Sequence, residues 1–64
     1  EVIERLLRGA RAYLKAGGVL MVEIGAAQGR RVREMAEGTR GLVDVDIRKD
    51  YAGHDRILVA RREA

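Results

Sequence analysis

The apolar run Val19-Leu20-Met21-Val22 constrains this chain more than any other feature, arriving directly from Gly17-Gly18 and closing on Glu23-Ile24-Gly25. A segment with no polar alternation reads as a strand that needs cover on both faces of its sheet. A chain of 64 residues has little to offer as cover, since a domain of that size buries only about 60% of its unfolded surface. There is no cysteine and only one histidine, so neither a disulfide framework nor a zinc site can substitute for a core. The sequence is therefore expected to be an incomplete domain, with residues 1–64 forming one portion of a larger sheet.

The segments around this run have clear periods. From Val2 to Leu14, apolar residues recur at three-and-four spacing, with Arg5, Arg8, Arg11 and Lys15 on the opposite side, which predicts an amphipathic helix. Glu1 and Glu4 suit its positive end, Lys15 its negative end, and Gly17-Gly18 can take the left-handed conformation that stops it. No capping residue precedes the helix, so the natural chain is expected to begin earlier. The strand Val19 to Ile24 is expected in the interior of a sheet. A second helix is predicted from about Ala27 to Glu37, where Val32, Met35 and Ala36 form its apolar stripe and Gly38 stops it.

Leu42 to Ile47 alternates, which places Val43, Val45 and Ile47 on one face and Asp44 and Asp46 on the other, as in a strand near an edge. Asp50, Gly53 and Asp55 then mark a turn, and Ile57 to Ala60 is expected to return as the partner of an antiparallel hairpin. The order is helix, strand, helix, strand, strand. A right-handed crossover between the first two strands places the second helix on one face of the sheet. A preceding crossover of the same kind would place the first helix there too, leaving the other face of Val19 to Ile24 bare.

Composition narrows the function classes. The apolar fraction of 47% and charged fraction of 36% are those of a globular chain. No run approaches a membrane span and no signal-peptide pattern opens the chain, so a cytoplasmic location is expected. The net charge of +3 is spread over helix faces, and Tyr13 and Tyr51 are the only aromatic residues. A small basic RNA-binding domain is the weaker alternative, because such surfaces cluster their cations and add stacking aromatics. A freestanding module that covers its bare sheet face by self-association is another.

Candidate chemistry is sparse. Glu23-Ile24-Gly25-Ala26-Ala27-Gln28-Gly29, with Asp44 and Asp46 downstream, can be read as a nucleotide or S-adenosylmethionine loop. Against that, Ala27 holds the central small position, both aspartates lie inside a strand, and a hairpin follows where another helix is required. Glu23 is the one charge in an apolar strand, and ligands of open α/β sheets bind at the carboxyl ends of strands. Glu23 and Gln28 are thus the candidates for a place near substrate, against the plainer reading of a solvated strand-end carboxylate and a polar helix start. No serine or cysteine nucleophile exists, so His54 reads as a loop residue. Tyr51 is expected to pack in the hairpin rather than serve as a surface anchor, and the arginines on the two helices are expected to form solvated faces.

Lys15-Ala16-Gly17-Gly18 before the apolar strand is similar to the Leu-Lys-Pro-Gly-Gly that precedes the fifth strand in class I S-adenosylmethionine-dependent methyltransferases, with Ala16 in place of proline. With Glu23-Ile24-Gly25, Gln28-Gly29, Val32 and the stretch from Arg48 to Arg62, the chain resembles the C-terminal end of the HemK-type glutamine methyltransferases that modify peptide chain release factors. The resemblance implies the last part of a Rossmann-like seven-stranded α/β sheet, its final strand inserted antiparallel between the two before it. It implies S-adenosylmethionine as cofactor and a release factor as partner of the whole enzyme. The family's glycine-rich cofactor loop and Asn-Pro-Pro-Tyr motif lie upstream of this segment. No catalytic, cofactor-binding or metal residue is therefore carried over, no cofactor is expected on these residues alone, and the segment by itself is expected to be inactive.

Overall fold

The computed structural model describes residues 2–64, so the helix-end role expected of Glu1 lies outside the described residues. Five elements follow one another: α1 (Val2–Tyr13), β1 (Val19–Glu23), α2 (Gly29–Glu37), β2 (Leu42–Lys49) and β3 (Asp55–Arg62). The chain is α/β, with two helices and a three-stranded sheet in which the spatial order is β1-β3-β2. β3 runs antiparallel to both neighbours, which makes β1 and β2 parallel to each other but not adjacent. No helix among the described residues is long and apolar enough to cross a membrane.

Both helices lie on the same face of the sheet. Leu7 and Ala10 of α1 meet Val32 and Ala36 of α2 over Leu20, Leu42, Leu58 and Ala60 of the strands, all of them buried. α1 ends at Tyr13, one residue before the expected Leu14 and short of the glycines expected to stop it, and the turn that follows has Gly17 at φ 79°, a conformation that glycine adopts at no steric cost. The end is tied to the sheet. Gly17 donates to the carbonyl of Arg62 at 2.8 Å, Arg62 donates to the carbonyl of Gly18 at 2.8 Å, and the Arg62 guanidinium donates to the carbonyl of Leu14. A cation at the carboxyl end of a helix also complements its dipole.

Three sequence expectations need correction. The first concerns β1, which has β3 as its single neighbour and so forms an edge of this sheet, not its interior. An all-apolar strand signals only that both faces want cover, and says nothing about which strands flank it. The second concerns Val43. Val43 pairs with Arg61 and Asp46 with Val59, so Asp44 and Val45 together stand against Ala60. Asp44 takes φ 53° at this bulge, a left-handed conformation that Asp tolerates better than most residues. The extra residue shifts the alternation by one, so that Leu42, Val45 and Ile47 pack toward the helices while Val43 shares the opposite face with Arg61. The third is Tyr51, which is fully exposed at the hairpin tip and packs against nothing.

The face of the sheet away from the helices is open. Register places Val19, Met21 and Glu23 of β1 beside Arg61, Val59 and Ile57 of β3, and these beside Val43, Asp46 and Arg48 of β2. Val19 is 53% and Met21 60% exposed, the bareness expected of this side of the strand.

Candidate functional site

The carboxyl end of β1, the turn that follows and the start of α2 form the end of the sheet where α/β proteins place ligands. Helix α2 begins at Gly29, two residues after the expected Ala27, because Gly25 to Gln28 close a turn of their own. Gln28 donates its backbone N–H to the carbonyl of Gly25 at 2.9 Å, and its side-chain Oε1 accepts the N–H of Gly25 at 2.8 Å. This reciprocal pair fixes Gln28 against the turn. Glu23 stands one step away at the end of β1, exposed on the open face. The structure thus places both candidates at the same end of the sheet, Glu23 toward solvent and Gln28 in a local hydrogen bond.

A shallow cleft of about 310 Å³ lies beside this turn, lined by Gly29, Arg30, Arg33, Ile47, Lys49 and Asp55. Its charges are paired, with one another or with neighbouring carboxylates. Lys49 Nζ meets Asp55 Oδ1 at 2.5 Å, Arg30 meets Glu34 at 3.2 Å, and Arg33 lies 3.6 Å from Glu37 and 3.9 Å from Asp46. The Asp55 carboxylate presses so closely on the first residue of α2 that a Cβ on Gly29 would fall 1.8 Å from its Oδ2. That is where the unpaired N–H groups and positive dipole of a helix favour an anion. Sequence reasoning missed this contact, although a glycine at the first helical position after a tight turn is a signal of close approach.

These details decide whether a cofactor fits the Gly25–Gly29 turn. The N–H of Gly25 is bonded to Gln28, and the Asp55 carboxylate lies against Gly29, so an anionic ligand at the helix start would meet the chain's own negative charge. The turn does not fit a nucleotide or S-adenosylmethionine. Among the described residues no group of His, Cys, Asp and Glu is placed to hold a metal ion. This end of the sheet is lined by paired charges.

The hairpin tip is equally ordered. Asp50 accepts backbone N–H bonds from Ala52 and His54 at 2.9 Å each, and its other oxygen takes Arg56 at 3.2 Å. The His54 backbone bond, together with Arg56, holds the Asp50 carboxyl below the usual carboxylate range. His54 Nδ1 lies 3.9 Å from Asp50, within the loop the sequence assigns to it.

Release factor glutamine methyltransferase of Cereibacter sphaeroides is 48% identical over 59 residues, 92% of this chain and 21% of that protein. The enzyme of the same description from Moorella thermoacetica is 40% identical over 57 residues, 89% of this chain and 20% of its own length. That of Aquifex aeolicus is 39% identical over 62 residues, 97% and 21% respectively. The resemblance read from the residues is thus shown over nearly the whole chain. The chain spans about a fifth of the length of the curated relatives it matches. No family model and no solved structure matches it.

Proposed function

We propose, from the similarity to release factor glutamine methyltransferases, that these residues are the C-terminal portion of a protein-glutamine N5-methyltransferase acting on a peptide chain release factor. The observation that carries this reading is a match of 38–48% identity over about nine-tenths of the chain in several such enzymes. The sheet order supports it, because a final strand inserted antiparallel between two parallel ones is what the resemblance implies for the end of a Rossmann-like class I methyltransferase sheet. In the longer enzyme S-adenosylmethionine supplies the methyl group, which passes to a glutamine side-chain nitrogen. An amide nitrogen is weakly nucleophilic, so holding it in line contributes much of the rate.

The part played by this segment is that of a wall. The paired charges around Gly29 and Asp55 close one end of the sheet, and Glu23 and Gln28 are the residues placed nearest to a substrate there. The portion alone is inactive in this reading, and its location is cytoplasmic. The test is a chimera in which these residues replace the matching stretch of the Cereibacter sphaeroides enzyme, assayed by mass spectrometry for a methyl group on the release-factor glutamine. Methylation by the chimera, with none from the 64 residues alone, is the expected result. A folded chimera without activity overturns the reading. Within an active chimera, Glu23→Ala is expected to raise KM for the release factor more than it lowers kcat, and an unchanged KM removes Glu23 from the substrate wall.

A further inference from the structure

We propose that the tip of the β2–β3 hairpin grips the protein substrate, with Tyr51 as an anchor seated in a shallow apolar depression of the release factor. This rests on the methyltransferase reading and adds to it a residue that sets affinity for the release factor.

The tip stands where a substrate arrives. β1 and β2 are parallel, so their carboxyl ends lie at the same end of the sheet, the end at which α/β proteins place ligands. There the hairpin outruns its neighbour. β1 closes at Glu23 opposite Ile57, whereas β2 and β3 continue through the pair of Lys49 and Asp55 to the turn at 50–54. Lys49 and Asp55 also line the cleft beside Gly29, which puts the tip next to the candidate site. Strands added to a sheet extend its edges and helices added to it cover its faces, so a turn that projects past the strand ends is left for what binds at that end.

The fold itself makes no use of the Tyr51 side chain, which is fully exposed. The turn that carries it is nonetheless tightly bonded. The N–H of Asp50 donates to the carbonyl of His54 at 2.9 Å, the N–H of Gly53 donates to the carbonyl of Asp50 at 3.0 Å, and the Asp50 carboxylate accepts from Ala52 and His54. Arg56 braces that carboxylate from β3 at 3.2 Å. An aromatic ring on a turn already ordered offers a large contact area at small entropic cost, and tyrosine is among the residues that dominate protein interfaces. The cations near the tip are held by carboxylates of the same chain, Lys49 by Asp55, Arg56 by Asp50, and Arg48 by Asp46 at 3.8 Å. They are spent as phosphate contacts, so the tip suits an apolar protein surface and not a nucleic acid.

The active chimera with the Cereibacter sphaeroides enzyme tests this, with KM measured separately for the intact release factor and for S-adenosylmethionine, and a thermal melt on every variant. Tyr51→Ala is expected to raise KM for the release factor about tenfold, while kcat, KM for S-adenosylmethionine and Tm stay unchanged. Tyr51→Phe keeps the ring and is expected to remain within about twofold of the unsubstituted chimera. An active chimera whose release-factor KM ignores Tyr51→Ala overturns the proposal and leaves the methyltransferase reading standing. A fall in Tm, or a rise in both KM values, overturns it as well, because Tyr51 would then pack against the rest of the enzyme. A folded chimera without activity overturns both.

Discussion

Single residues in this chain take on roles that their type alone does not announce. Gly29 is required not for turn conformation but for room, because the Asp55 carboxylate occupies the space a side chain would need. Gly29→Ala must displace Asp55 from the start of α2 and strain its bond to Lys49, so a loss of about 1–3 kcal/mol is expected, read from the urea midpoint. An unchanged midpoint would show that the carboxylate is free to move. Asp50 organises the hairpin tip through two backbone N–H bonds and Arg56. Because its folded pKa lies below the unfolded value, its contribution is fully present above about pH 4 and is lost as the pH falls through the lowered value. An NMR titration should therefore show the Ala52 and His54 amides shifting together with the Asp50 carboxyl, at a midpoint below that of an ordinary aspartate. A midpoint at or above the ordinary value would contradict the hydrogen-bond account.

At the scale of elements, β3 carries the fold. It is the central strand, it pairs along its length with both neighbours, and its Leu58 and Ala60 are fully buried under the helices. Leu58→Ala removes the largest buried side chain of that strand and is expected to cost about 2–5 kcal/mol. That is much of the stability available to so small a chain, of the order of 0.1 kcal/mol per residue, so a large unfolded fraction in thermal melts without denaturant is the expected result. A loss below about 1 kcal/mol would mean that the core relaxes around the gap. The existence and type of every element was legible from apolar spacing, and the end of α2 from Gly38, whereas α1 stops at Tyr13, short of its glycines. The facing of Val43 was not, because a single extra residue at Asp44 shifts everything before it to the other side of the sheet, and simple alternation carries no mark of a bulge.

For the whole molecule, the decisive fact is a sheet with one covered face and one open one. Val19 and Met21 stand exposed on the open side, and the enzymes the chain resembles are about five times longer. The sequence by itself determined the five elements, their polarity, the hairpin and the incomplete cover of Val19 to Ile24, because all of these follow from the spacing of apolar residues and turn formers along the chain. Only the tertiary structure decided that β1 lies at an edge with β3 beside it, that Gly29 makes room for Asp55, and that Glu23 shares a row with Arg48. Those depend on which segments meet across long stretches of chain, and contacts of that kind are fixed by packing in three dimensions rather than by local pattern.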